Sequence, residues 1–408
     1  MAEKQRISLD PEQAVALWIQ GREVWNAWVE KNPDADISFQ SVDFDKLHLS
    51  VLETIPKFDW PFANFEFPDG DKTFRGAKFG DRYVSFNDAT FGKGDVSFNH
   101  ATFGERNVSF AGATFGDGDV SFNDTTFGDG YVSFSDTTFS DGDVSFYRAK
   151  FGLGAFILDA ASLGNGGYNF SDATFPGRAS FANLVNVKAV TSLEFRHASF
   201  ERAFTLGSKE MFSCVPDLVG TKTSHHISLA ELKCASNTAT HKKFFQRSTD
   251  EGDAERFRRL KELAEQNRDF EKALEFRVEE IRAARWRDKH GWAAILVEGL
   301  FWLGSDYGRS LFNPIIGLIY TWFIGAVTYA SVSQMPFTYH EIIKAMPFSW
   351  GQMFVYIPSS RDARTQGLAA LFGEHTPNWL YLITFSQSLL TLVLLFQVGL
   401  VLRNRFKL

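Results

Sequence analysis

The chain is 408 residues long, more than a single compact core usually holds, and its 43 Phe against 10 Tyr and 10 Trp point to an internal repeat. A formal net charge of −7 argues against a generally basic nucleic-acid binder. Two cysteines, Cys214 and Cys234, exclude a disulfide scaffold, suit a reducing compartment and match no metal motif.

The mean hydropathy of −0.16 hides a change of solvent, because apolar residues are scattered up to about position 290 and come in blocks beyond it. Met1–Asp10 is polar and lacks the apolar core of a secretory signal, so residues 1 to about 290 are expected in the cytoplasm. From Pro11 to Glu30 the apolar residues Val15, Leu17, Ile19, Val24, Trp25, Trp28 and Val29 predict a helix started by Asp10-Pro11 and stopped by Asn32-Pro33. It reads as a capping domain, 1–36, for a repeat array.

The array itself has a twelve-residue register: VSFNDATFGKGD from Val84 recurs as VSFNHATFGERN, VSFAGATFGDGD, VSFNDTTFGDGY and VSFSDTTFSDGD. Phe stands at 74, 86, 98, 110, 122, 134 and 146, and five residues later at 79, 91, 103, 115, 127, 139 and 151; Leu158 with Leu163 and Phe170 with Phe175 continue it. Two residues before each sits a small or β-branched residue, such as Val84 and Ala89. Neither the helical period nor a long alternating strand fits this step, whereas short strands joined by Gly-Asp corners do. Stacked coils would then bury Phe86, Phe91, Phe98, Phe103, Phe110, Phe115, Phe122 and Phe127 as a core, at roughly 1.5–3 kcal/mol per ring before entropy is subtracted.

The motifs Val84-Ser85-Phe86-Asn87-Asp88 and Ala89-Thr90-Phe91-Gly92-Lys93 resemble the pentapeptide-repeat family, and so does Trp25-Asn26-Ala27-Trp28 ahead of Asn32-Pro33, which is similar to the leader before many such arrays. The resemblance implies a right-handed quadrilateral β-helix over 37–240, regular over 74–175. The two extra residues per pair of motifs, such as Gly94-Asp95, imply about 24 residues per coil. Less regular motifs extend it: Phe39 with Phe44, Trp60 with Phe65, Phe195 with Phe200, and Ile227-Ser228-Leu229.

Between 241 and 290 the chain turns rich in Glu, Arg, Ala and Lys, with Phe257, Leu260, Leu263, Phe270, Leu274, Val278 and Ile281 at helical spacing and Asn267-Arg268-Asp269 as a break. Two uses are open to this amphipathic linker: a collar or lever between domains, or a helix packed on the end of the solenoid.

Residues 291–408 are expected to form the fourth part, an α-helical transmembrane domain. Leu311–Val332 carries no Asp, Glu, Lys, Arg or His, and at about 1.5 Å per residue it matches a hydrocarbon core of about 30 Å. The stretch 379–402 is a second such span. Arg277, Arg282, Arg285, Arg287, Lys289 and Arg309 precede the first span and Arg403, Arg405 and Lys407 follow the second, whereas the loop between them has Lys344, Arg361 and Arg364. The positive-inside rule then puts both termini and the solenoid on the cytoplasmic side, with the bilayer, a bacterial inner membrane by the family resemblance, as a partner.

In the loop, residues 341–358 (EIIKAMPFSWGQMFVYIP) are apolar but too short to cross, with Phe348, Trp350, Gly351 and Gln352 as candidates for a re-entrant turn. Span, re-entrant segment and span resemble the two-transmembrane pore module of tetrameric cation channels, which implies a homotetramer, but the potassium selectivity sequence is absent. An amphipathic surface helix or an ordinary folded loop is the alternative. On the second span Thr384, Gln387, Ser388 and Thr391 form one polar stripe followed by Leu395 and Val398: either a pore lining with a hydrophobic gate, or hydrogen-bonding glue between helices. Gly317, Thr321, Gly325 and Thr328 read as a helix-packing face.

No catalytic, cofactor or metal motif emerges. His225 and His226 are adjacent, His340 and His375 isolated, and the repeated Gly-Asp pairs are better read as corners than as calcium ligands. The chain is therefore expected not to be an enzyme. Three functions remain: an oligomeric ion channel or permeabilising pore with a cytoplasmic sensing β-helix; a non-conducting membrane-tethered scaffold for a protein partner; or a DNA mimic acting on gyrase, as some pentapeptide-repeat proteins are. Residues 74–175 hold thirteen acidic and seven basic residues, a modest charge for imitating a duplex.

Overall fold

The computed structural model describes residues 6–51, 59–237, 248–285, 292–333, 336–373 and 376–406. Arg287, Lys289, His375 and Lys407 lie outside them. The chain divides into two compact units, Met1–His241 with Gln246–Arg285, and Lys242–Phe245 with Trp286–Leu408.

The first unit is a regular stack of short parallel strands. Val84 pairs with Val108 and Val108 with Val132; Val96 with Val120 and Val120 with Val144; Thr90 with Thr114 and Thr114 with Thr138. A fourth line of bridges joins Lys78, Thr102, Thr126, Lys150 and Thr174. Every one of these steps is 24 residues, so one repeat of twelve makes half a turn and two return the chain to the same ladder.

The corners follow from local backbone chemistry. Asp88, His100, Asp124, Asp136, Arg148, Ala160 and Asp172, at one register position, all have φ between +53° and +59°, the left-handed region where Asp, Asn and Gly sit most easily. At the other corner the coils stack backbone on backbone: a Cβ on Gly154 would overlap the Gly130 carbonyl, and one on Gly177 the Gly154 carbonyl. The corner carboxylates tie turns together, Asp95 accepting from the Asp119 amide (2.9 Å) and Asp119 from the Asp143 amide (2.8 Å).

Strands stacked at about 4.8 Å bring identical side chains face to face. Phe86, Phe110 and Phe134 form one column with ring centroids 4.8 and 4.7 Å apart and nearly parallel planes. Phe74, Phe98, Phe122 and Phe146 form a second, crossing the first edge-on; Phe79, Phe103, Phe127 and Phe151 a third; Phe67, Phe91, Phe115 and Phe139 a fourth. All eight Phe read as core from the sequence, Phe86 to Phe127, are buried here. Where Thr125 and Thr137 replace the usual Ala, their hydroxyls donate to the Phe98 and Phe110 carbonyls, so neither hydroxyl is stranded.

One expected register is corrected. Phe62 and Phe67, rather than Trp60 and Phe65, stack on Phe86 and Phe91. The cause is the ladder itself: Trp60 pairs with Val84, two residues before the ring position. Lys72 likewise occupies a valine position, pairing with Val96. It is 1% exposed, with its ammonium donating to the Pro68, Gly92 and Gly94 carbonyls. Burial drives its pKa down to about 8, against the pull of Asp71, Asp69 and Asp95. Between about pH 8 and 10.5 the unfolded chain therefore holds a proton that the folded chain has lost, so stability rises with pH in that window. The stability of wild type relative to Lys72→Met is expected to rise there by up to about 1.4 kcal/mol per pH unit. A difference that stays constant in urea midpoints between pH 7 and 10 would refute this.

Both ends of the stack are covered. The helix expected over Pro11–Glu30 is two helices, α1 (Pro11–Trp18) and α2 (Arg22–Lys31), because Gly21 with φ +93° breaks it. Asp10 caps α1 through a capping box with Gln13. Trp18 stacks on Phe62, and Trp25 packs on Phe39, Phe65 and Phe67 while donating to the Glu66 carbonyl, so tryptophans close the phenylalanine columns. A short helix absent from the sequence reading, α3 (Phe44–Val51), begins the insertion that separates Phe39 from its stacking partner Phe74 by more than one turn.

At the other end α4 (Asp253–Gln266) and α5 (Phe270–Ala284) form a hairpin broken where Asn267-Arg268-Asp269 foretold. Phe257, Leu260, Leu263 and Phe276 join the core of the stack. Asn267 accepts from the amide of Ile227 in the last strand, and Arg259 donates to the turn carbonyls of Leu218 and Thr221. The hairpin of α4 and α5 thus belongs to the first unit.

The second unit is helical: α6 (Trp292–Ser305), α7 (Phe312–Val332), α8 (Tyr339–Met353), α9 (Ser360–Phe372) and α10 (Asn378–Phe406). Two of them, α7 and α10, are long and apolar enough to cross a membrane. Helices α6 and α9 have no counterpart among the elements expected from the sequence, and for 341–358 a re-entrant turn, an amphipathic surface helix and an ordinary folded loop are all open at that level. That segment is helical to Met353 and carries Pro347 inside the helix.

Candidate functional site

In the helical unit, the outward side chains of α7 and α10 are large and apolar: Ile319, Tyr320, Phe323 and Ile324 on α7, and Leu382, Phe385, Leu389 and Phe396 on α10, are all exposed. Their inward faces carry the polar residues singled out by the sequence. Gln387 is buried and fully engaged: its Oε1 accepts from the Tyr329 hydroxyl (2.6 Å), and its Nε2 donates to Ser349 Oγ (2.8 Å) and lies 3.3 Å from the Thr321 carbonyl. Ser349 in turn donates to the Trp322 carbonyl. One glutamine thereby links α7, α8 and α10.

The rest of the stripe is bonded mostly one turn back along α10, with one bond from Ser388 across to α8. Thr391, fully buried, donates to the Gln387 carbonyl one turn back; Ser388 donates to the Gln352 and Thr384 carbonyls; Thr384 donates to the Tyr381 carbonyl. Such back-bonds are the usual way for hydroxyls to be satisfied on an apolar helix. Thr384, Ser388, Leu395 and Val398 are half-buried. Gly325 is what lets Gln387 in, because a Cβ there would come within 2.5 Å of both Gln387 Nε2 and Ser349 Oγ; a Cβ on Gly317 would meet Leu394 at 3.0 Å. Thr321 bonds the Gly317 carbonyl.

The four residues proposed for a re-entrant turn separate by environment. Phe348 is buried edge-on against Tyr329 (4.8 Å) and near Phe372; Gly351 is buried; Gln352 offers its carbonyl to Ser388; Trp350 is exposed and crosses Trp322. Trp322 also donates to the Met346 carbonyl, next to Pro347. Sequence reasoning missed Tyr329 and Ser349, the partners of Gln387. A tyrosine inside an apolar span was the available signal, since a buried hydroxyl needs an acceptor.

A groove of about 600 Å³ runs between α6, α7 and α10, lined by Leu300, Gly304, Gly317, Tyr320, Ser386 and Leu390 among others. In the strand unit a polar pocket of about 350 Å³ lies beside α4, with Cys214, Asp217, Asp253 and Arg256 in its wall. Burial pushes the Cys214 thiol up to about 12 and raises that of Cys234 as well, so neither is a ready nucleophile. Among the described residues no group of His, Cys, Asp and Glu is arranged to hold a metal ion.

Comparison with models of known families, with curated proteins and with solved structures finds no match to this chain.

Proposed function

We propose that the chain is a membrane-anchored scaffold: a β-helix of the pentapeptide-repeat kind, right-handed and four-sided, held at a bilayer by α7 and α10 and offering its flanks to a protein partner. The observation that carries the choice is Gln387. The stripe that would have to face ions in a pore has its buried members bonded within one chain, to Tyr329, Ser349 and the Gln387 carbonyl. This is the pattern of helix glue. The apolar outward faces of α7 and α10 support the anchoring, the charge asymmetry of the sequence supports a cytoplasmic β-helix, and the family resemblance supports a bacterial inner membrane. The covered ends of the strand stack leave its sides as the open surface, including the exposed columns Thr90, Thr114, Thr138 and Lys78, Thr102, Thr126, Lys150.

A homo-oligomeric, tetrameric pore is the second reading, favoured by the half-buried Thr384, Leu395 and Val398, which keep surface for a neighbouring subunit. Ion flux through liposomes containing the full chain separates the two. No flux above that of empty liposomes across voltage, pH and calcium is expected. Flux altered by Thr384→Leu or Leu395→Asn would overturn the scaffold in favour of the pore. Gln387→Leu is expected to cost about 1–2 kcal/mol of stability in detergent, the worth of hydrogen bonds between membrane helices. Unchanged thermal stability of that variant would remove the argument from Gln387.

A further inference from the structure

Away from the Gln387 network, α8, α9 and α10 enclose a pocket of about 280 Å³ whose polar wall is Gln352, Arg361, Arg364, Thr365, Thr376 and Thr384. Among the described residues its wall holds two guanidiniums and no carboxylate. Neither Arg361 nor Arg364 has a side-chain hydrogen bond or ion pair among the described residues, and the Nε of Arg364 is buried without an acceptor. A buried, unpaired guanidinium N–H is costly unless a ligand answers it. The two arginines stand at i and i+3 on α9, so they share one helix face. Space is kept for one of them: a Cβ on Gly351 would lie 2.7 Å from Arg364 Cγ.

Two forks of N–H donors, with hydroxyls and an amide around them, fit an anion rich in acceptor oxygens, and arginine pairs favour phosphate through bidentate contacts. The remaining wall is Phe348, Leu368, Leu380 and Tyr381, which suits the carbon side of a phosphate ester better than a free ion. Position names the source. Trp379 and Tyr381 are exposed at the start of α10, and Leu382, Phe385 and Leu389 are exposed just beyond, the sequence of an aromatic belt followed by a lipid-facing surface. We infer that this pocket binds the phosphate of an anionic phospholipid, held by Arg361 and Arg364. The inference rests on the reading that α7 and α10 cross a bilayer.

The test uses the full chain, delipidated in detergent and titrated with short-chain phosphatidylglycerol, short-chain phosphatidylcholine and inorganic phosphate, with bound adducts counted by native mass spectrometry. Phosphatidylglycerol is expected to bind, and Arg361→Gln/Arg364→Gln to weaken it about tenfold or more, the worth of a charge-assisted bidentate contact. Gly351→Ala, which displaces Arg364 while keeping both charges, is expected to weaken it too. Arg309→Gln, removing an exposed charge elsewhere in the unit, should leave it unchanged. Equal retention by the double variant, or equal loss in Arg309→Gln, would overturn the site. Inorganic phosphate binding as tightly as phosphatidylglycerol would overturn the lipid assignment. Alkaline carbonate extraction of cell membranes tests the bilayer reading separately: release of the chain would sink that reading, while the detergent titration still decides the pocket.

Discussion

Phe110→Ala is expected to lower the stability of the strand stack by about 3–5 kcal/mol, the usual cost of removing a buried ring whose cavity cannot collapse. Phe110 is fully buried and lies face to face with Phe86 and Phe134 and edge-on to Phe98 and Phe122. Collapse is resisted because those four rings are each held by a backbone ladder of fixed spacing. Phe110→Leu should cost clearly less, since leucine refills most of the ring's space and the columns already hold Leu158 and Leu163. Thr114→Ala, on the exposed face of the next strand, should fall within about 0.5 kcal/mol of wild type. Urea unfolding of the full chain followed by circular dichroism measures all three. If the alanine and leucine variants were equally stable, the columns would not be the source of cohesion.

The second large effect concerns the C-terminal cap. Asp217 is 2% exposed, and its carboxylate accepts from Arg196 Nε (2.7 Å), Arg256 Nε (3.3 Å) and the Val219 amide (3.0 Å). Arg256 also contacts Asp250 and Asp253. The carboxylates around Arg196 and Arg256 raise the pKa of both guanidiniums, so both charges persist at any working pH. Asp217→Asn keeps the shape and removes the charge that joins the last strands to α4. Breaking a fully buried pair costs about 3–5 kcal/mol, and the exposure of Arg196 and the two remaining carboxylates on Arg256 reduce this to about 2–3 kcal/mol. The loss should be local: amide exchange in α4 and α5 should accelerate while the central coils keep their protection. Exchange that rises equally in Phe110 and in α4 would mean that cap and stack unfold as one unit, and unchanged exchange would mean that Asp217 does not hold the cap.

Much of the strand unit was legible in the chain because its interactions repeat. A ring every twelve residues, a second five later and Gly-Asp at the corners leave one arrangement that buries every ring, and the pairing of residues 24 apart follows from two repeats per turn. Where repetition lapses, the reading slips. Trp60 and Phe65 look like a motif, yet the ladder places Phe62 and Phe67 in the columns, since register is set by the neighbouring strand and not by the local pattern. Lys72 stands in a valine position that no local rule would grant a charge, and only the three carbonyls converging on its ammonium make it tolerable there.

For the helical unit, the sequence by itself determined the two apolar helices, their near boundaries and the face carrying Thr384, Gln387, Ser388 and Thr391, because helical periodicity and length are properties of contiguous residues. It left open what that face meets. Tyr329 and Ser349 stand far from Gln387 in the chain, and Arg361 and Arg364 gain a pocket only when α8, α9 and α10 come together. A hydrogen bond or a cavity between helices depends on their packing, which many sequence-distant contacts decide jointly, so those partners belong to the tertiary structure alone.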